Sequence, residues 1–144
     1  MTYSTLKNRN NTPSFFLDKE NGQFIISGRS VQLNTFEYWK PIKAMLKVYL
    51  KNQINKISIR FELEFMNSSS VEEILYVLNL TKESNNNHRE IEIEWCSEQD
   101  DLDMIDIGKC IQEIVQIPFK FIEVSSNDNS VKTKLPNIYL NRFI

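Results

Sequence analysis

Glycine is scarce in this 144-residue chain: Gly22, Gly28 and Gly108 stand far apart, and no two share a loop. A loop that cradles phosphates with its backbone needs several glycines close together, so GxGxxG and P-loop chemistry is excluded, and no HExxH run is present. Histidine occurs once, at His88. It sits in a polar loop with no sequence-apparent partner, and reads as a solvent-exposed side chain rather than a base or ligand. The two cysteines, Cys96 and Cys110, lack CxxC spacing and read as reduced packing residues of a cytoplasmic protein; a cysteine–histidine nucleophile pair is left open. No apolar run is long enough for a bilayer, and residues 1–7 lack the apolar core of a signal peptide, so no membrane insertion is expected. A net charge of -2 supplies no basic field for nucleic acid. Nothing here calls for a cofactor.

What is present is an ordinary globular balance, 41% hydrophobic and 25% charged residues, in a length that suits one domain. The organising stretch is Lys56–Glu73. Ile57, Ile59, Phe61, Leu63 and Phe65 alternate with Ser58, Arg60, Glu62 and Glu64, the pattern of a strand with one buried and one wetter face. After Met66 the alternation stops at Asn67-Ser68-Ser69-Ser70, and Val71, Ile74, Leu75 and Leu78 begin a helical stripe. A strand therefore feeds straight into a helix N-terminus with three hydroxyls at the junction.

Around this junction the chain divides into a polar, flexible lead-in (1–12), a domain (13–124), and a polar linker with an apolar tail (125–144). Two apolar runs flank Asn21-Gly22, a hairpin signal, and Gly28 is expected to end the second strand. Asn34 with Glu37 resembles a capping box opening a helix that runs to about Lys51, its apolar side formed by Phe36, Trp39, Ile42, Met45, Leu46 and Tyr49. Pro41 belongs in the first turn or it kinks the helix. The second helix is expected from about Ser69 to Glu83. A strand follows at Ile91, Ile93 and Trp95, then a helix striped by Met104, Ile107, Ile111, Ile114 and Val115, then a strand from Phe119 to Val124. The order β-β-α-β-α-β-α-β, with charged residues on the non-core side of two strands, predicts an α/β (α+β) single domain. Its mixed sheet carries helices mainly on one face. The tail Leu135–Ile144 is expected to pack on its own domain, with docking of a partner as the alternative.

Two clusters invite chemistry. Glu98, Asp100, Asp101, Asp103 and Asp106 lack the glycine and terminal glutamate of a calcium loop, and suit a helix N-terminus instead; no metal site is assigned. Ser69 with Glu72 fits the S-x-x-E capping box, which leaves Ser68 over. A phosphate on Ser68 would add about -1.5 to -2 charges beside unpaired helix N–H groups.

Several further stretches occur in this order along the chain: Thr12-Pro13, Ile26-Ser27-Gly28-Arg29-Ser30, Trp39-Lys40-Pro41-Ile42, Phe65-Met66-Asn67-Ser68-Ser69-Ser70, Ile93-Glu94-Trp95, Asp100 to Met104 with Gly108, and Pro118-Phe119. As an ordered set this resembles the SiaC family of bacterial regulatory phosphoproteins, over about Thr12 to Val124. The resemblance implies a STAS-like fold and a non-enzymatic partner switch. It implies phosphorylation by a Ser/Thr kinase, removal of the phosphate by a PP2C-like phosphatase, and binding of the unphosphorylated form to an output protein such as a diguanylate cyclase, in cyclic di-GMP and biofilm signalling. By position the acceptor is Ser68, with Asn67, Ser69, Ser70 and Glu72 as its surroundings. The chain departs from the family in having serine for the usual threonine at 68, Glu72 where lysine is common, and Val31-Gln32-Leu33-Asn34 for Tyr-Pro-Glu-Asn. A constitutive binding module of the same fold, without phosphoregulation, is the alternative.

Overall fold

The computed structural model describes residues 11–85 and 89–125. His88, most of the lead-in and nearly all of the tail lie outside the described residues. The elements are β1 (Pro13–Asp18), β2 (Gln23–Ser30), α1 (Thr35–Asn52), β3 (Lys56–Met66), α2 (Ser68–Ser84), β4 (Glu90–Glu98), α3 (Leu102–Val115) and β5 (Phe119–Val124). This is the predicted order.

The sheet runs β1-β2-β3-β4-β5, with β1 antiparallel to β2 and each later pair parallel. Three successive β-α-β crossovers step in the same direction across the sheet. Right-handed crossovers that never reverse direction place every helix on one face, as the mixed-sheet reading requires. The hairpin turns through Gly22 at φ +66°, and Asn21 is held to both carboxylate oxygens of Asp18 at 3.1 and 2.7 Å.

The core lies between the helices and the sheet. Trp39, Ile42 and Leu46 of α1 and Ile74, Val77 and Leu78 of α2 meet Phe24, Ile26, Ile57, Ile59, Phe61 and Leu63. Met104, Ile111 and Val115 of α3 extend it over Ile93 and Trp95.

Five expectations need correction. Gly28 does not end β2 but sits inside it, at φ +97°, beside a register shift. Gly28 pairs with Leu63 while the next residue, Arg29, pairs with Phe65, so Glu64 is one residue extra. An inserted residue exchanges the two faces of a strand beyond it. Phe65 is therefore half exposed (49%), and Met66 packs against the core in its place. Phe36 and Ile114 are likewise exposed, because each lies at the edge of its helix's apolar stripe. Pro41 stands in the second turn of α1, on the exposed side, where its missing N–H leaves the Glu37 carbonyl without its usual helical donor. Cys110 is exposed, so only Cys96 is a packing residue.

The helix-free face is drier than its polar sequence suggests. Ser14, Ser27 and Glu62 are fully buried there, and Ser14 and Ser27 hydroxyls lie 3.0 Å apart. Arg60 bonds Glu62, and reaches Glu94 at 3.2 Å, while Gln23 donates to Glu94 at 3.0 Å and to Ser58 at 3.2 Å. Charges so buried are retained only when paired, and this cross-strand ladder pairs them.

Candidate functional site

The site forms where the carboxyl ends of β2 and β3 meet the N-terminus of α2. Asn67 has extended backbone (φ -96°, ψ 175°) and is the N-cap of α2, so Ser68 is its first residue. The cap is thus Asn67 and not Ser69. Asn67 stands three residues before Ser70, the spacing at which an N-cap oxygen meets the N3 amide, and Ser69 stays inside the helix. Asn67 Oδ1 accepts the Ser70 N–H at 3.0 Å and the hydroxyls of Ser69 and Ser70 at 3.1 and 2.7 Å. Its backbone N–H donates to Ser30 O at 3.1 Å, and its Nδ2 to Gln32 O at 3.3 Å. One residue thereby ties α2 to the end of β2 and to the loop before α1.

Below the surface the hydroxyls form a relay. Trp39 Nε1 donates to Ser30 Oγ at 2.8 Å, and Ser30 Oγ lies 2.6 Å from Ser70 Oγ. Ser70 Oγ is also 2.6 Å from Ser30 O, and Ser70 is fully inaccessible. Ser69 is half-buried, its hydroxyl 2.8 Å from Thr35 Oγ1, which in turn donates to Gln32 O at 3.0 Å. Asn34 is the N-cap residue of α1, but its side chain makes no cap bond, so the expected capping box with Glu37 does not form. Thr35, packed against Ser69, holds that helix start instead.

The three serines therefore differ. Ser70 is sealed in, Ser69 faces α1, and Ser68 is exposed. The first-turn N–H groups of a helix have no intrahelical partner, so an anion at Ser68 would meet donors and the positive end of the helix dipole. Glu72 is exposed one turn further along the same face, close enough to oppose such an anion. Glu73 points to α1 instead, and its carboxylate accepts from Lys43 Nζ at 2.6 Å. Lys43 is enclosed by the rings of Phe36 and Tyr76, with Nζ 4.3 and 4.9 Å from their centroids. It is thus committed to Glu73 and the two rings.

The structure brings Asn67, Ser68, Ser69, Ser70 and Glu72 together by sequence adjacency. Sequence reasoning missed Ser30, Thr35, Gln32 and Trp39, which complete the site from other elements. The only available signal was that a buried tryptophan N–H needs a partner. The acidic cluster is dispersed by its structural duties: Asp101 caps α3 by accepting the Met104 N–H at 3.1 Å, and Asp103 occupies its first turn. Among the described residues, no three His, Cys, Asp or Glu side chains converge on a metal position, and no helix is long and apolar enough to cross a membrane.

Comparison with known proteins gives the fold and the family. Three structures of SiaC from Pseudomonas aeruginosa share the fold. In one, SiaC is the activator in complex with the diguanylate cyclase SiaD; it has a TM-score of 0.75 and 17% identity, covering 84% of this chain and 99% of that one. The apo form has a TM-score of 0.72 and 19% identity, covering 85% and 99%. The third has 0.71 and 18%, covering 87% and 99%. No curated protein matches by sequence. Residues 6–124 match the family described as "SiaC family regulatory phosphoprotein", and the chain belongs to that family.

Proposed function

We propose that this chain is a non-enzymatic, cytoplasmic partner-switching protein gated by phosphorylation of Ser68. A Ser/Thr kinase adds the phosphate and a PP2C-like phosphatase removes it. The unphosphorylated form binds an output protein, of the diguanylate cyclase class that the similar SiaC of known structure binds. The observation that carries this reading is the sorting of the three hydroxyls: Ser69 and Ser70 are engaged in hydrogen bonds, while Ser68 is exposed on the first turn of α2. A kinase requires an accessible hydroxyl, and a phosphate there adds about -1.5 to -2 charges without unpacking the core. The added charge changes the complementarity of the surface around α2, a local event with a binding readout.

The direct test compares affinities for the output cyclase. Ser68→Ala is expected to bind as wild type does and to accept no phosphate. Phosphorylated protein is expected to bind at least tenfold more weakly, with Ser68→Asp intermediate because a carboxylate imitates a phosphate only in part. Equal affinity of all forms sinks the gating mechanism. Glu72 motivates a second reading, a constitutive module that kept the fold and lost the switch. That reading predicts no phosphate on Ser68 in cells that contain the kinase.

A further inference from the structure

The face of the sheet that carries no helix is buried along a line that crosses its strands. Ser14, Ser27 and Glu62 are successive register partners in β1, β2 and β3. Cys96 of β4 extends the line, two residues past Glu94, which pairs with Arg60. All four side chains are buried to within 1%. In the next row Phe16 is 2% exposed and its partner Ile25 is 1% exposed. Neighbouring strands shield the base of an outward side chain but not its tip, so a phenylalanine and a glutamate this inaccessible lie beneath a further layer. Burial fades toward the amino ends of β3 and β4, where Lys56 and Glu92 stay partly accessible. The layer is therefore a band across the sheet.

The helices pack on the opposite face, so among the described residues no helix supplies this layer. Two segments outside those residues end the chain, 1–10 and 126–144. Position, reach and composition favour the second. It follows β5, whose Ile122 and Val124 pack with Cys96 in a small apolar cluster on the helix-free face. From β5 to β1 is four strand spacings, about 19 Å. After the mainly polar stretch 126–134, the ten residues 135–144 span about 15 Å as a helix and about 33 Å extended. They include Leu135, Ile138, Tyr139, Leu140, Phe143 and Ile144. Segment 1–10 offers only Met1, Tyr3 and Leu6 as large apolar residues, and it joins the sheet at the far edge, before β1. Charge agrees: Lys132, Lys134 and Arg142 exceed Asp128, while in the band two carboxylates, Glu62 and Glu94, gather around Arg60.

We propose that residues 135–144 lie across the helix-free face as its covering layer, with apolar side chains over Phe16, Ile25 and Cys96. The sheet then separates two surfaces with different occupants. The chain's own C-terminal segment takes one, and Ser68 with α1 and α2 keeps the other. Because the segment is tethered to β5, the contact is intramolecular, and a modest apolar area suffices to keep other chains off this face. The proposal uses no residue of the α2 junction, so it stands apart from the partner-switch reading.

The two native cysteines report on the cover in the full chain, since Cys96 lies in the band and Cys110 is exposed on α3. Iodoacetamide is expected to modify Cys110 at least tenfold faster than Cys96. Leu140→Asp with Phe143→Asp is expected to raise the Cys96 rate at least tenfold and to leave the Cys110 rate unchanged. Tyr3→Asp with Leu6→Asp is expected to change neither rate. Photo-cross-linking decides alone if the charged variants fail to fold. Tyr139→p-benzoylphenylalanine and Phe143→p-benzoylphenylalanine, each in the full chain in native cells, are expected to give intrachain products on the outward residues of β1, β2 or β4. A cross-link to α1 or α2, to a second copy or to another protein overturns the proposal, as does none from either position. So does a Cys96 rate that the tail substitutions leave unchanged, or that the substitutions at 3 and 6 raise instead.

Discussion

Replacing Asn67 by alanine tests whether the junction is held as described. The substitution removes the acceptor of the Ser70 N–H at 3.0 Å, which is the cap of α2. Loss of such a cap costs about 1 kcal/mol, within a range of 0.5–2. The remaining losses are small because the other groups keep partners. Ser70 Oγ retains Ser30 O at 2.6 Å, Ser69 Oγ retains Thr35 Oγ1 at 2.8 Å, and Gln32 O retains Thr35 Oγ1 at 3.0 Å. No buried hydroxyl is orphaned, so the larger penalty for an unsatisfied polar group does not apply. The expected total is about 1–2 kcal/mol, a fall in Tm of roughly 3–8 °C for a domain of this size. Asn67→Ser keeps an N-cap acceptor and should recover at least half of that loss. Urea denaturation followed by far-UV circular dichroism measures both. Amide exchange should accelerate selectively over Ser68–Val71, since the cap is local. If Asn67→Ala matches wild type within about 0.3 kcal/mol, or Asn67→Ser is as unstable as the alanine variant, the capping account is wrong.

Other residues give independent predictions. A Cβ on Gly108 would stand 2.5 Å from Trp95 Nε1 and 2.9 Å from Phe121 Cε1, and Trp95 is pinned by its 2.9 Å bond to Met104 O. Gly108→Ala should therefore destabilise by about 1–3 kcal/mol despite the roughly 1 kcal/mol gained in helix propensity, with a shift in tryptophan emission. Burial pushes the Tyr49 phenol up to about 12, against smaller opposing effects of Ser58 and Arg89. Its stabilising contribution is complete below pH 10 and lost as pH rises toward 12, because the unfolded phenol ionises first; the loss amounts to roughly 2–3 kcal/mol, visible in alkaline melts and absent in Tyr49→Phe. In phosphorylated protein, Glu72→Gln should lower the second pKa of the phosphate by about half a unit in phosphorus NMR, since it removes a like charge about 6 Å away.

The sequence disclosed most of the architecture because its signals are local. Ile57 to Leu63 alternate, Asn21-Gly22 turns, and the polar break at Asn67–Ser70 separates a period of two from one near 3.6. The bulge was not legible, because it is a pairing event: only the match of Gly28 with Leu63 and Arg29 with Phe65 reveals Glu64 as extra. That single residue turned Phe65 outward. The three serines were legible as a set but not as individuals. Their accessibilities depend on Ser30, Thr35 and Trp39, which lie more than 28 residues away in the chain and arrive through the β2–β3 pairing and the packing of α1 on α2. The wetter strand face was misjudged for a similar reason. Arg60, Glu62 and Glu94 look solvated one strand at a time, yet Arg60 pairs with Glu62 along β3 and with Glu94 across to β4 once the sheet is assembled.

The central claim is that Ser68 alone carries a reversible phosphate. Phosphopeptide mass spectrometry on protein purified from its native cells, with and without treatment by a PP2C-type phosphatase, tests it most directly. The account predicts one phosphate, on Ser68, removed by the phosphatase. Absence of phosphate under every growth condition tested, or phosphate on Ser69 or Ser70, would contradict it.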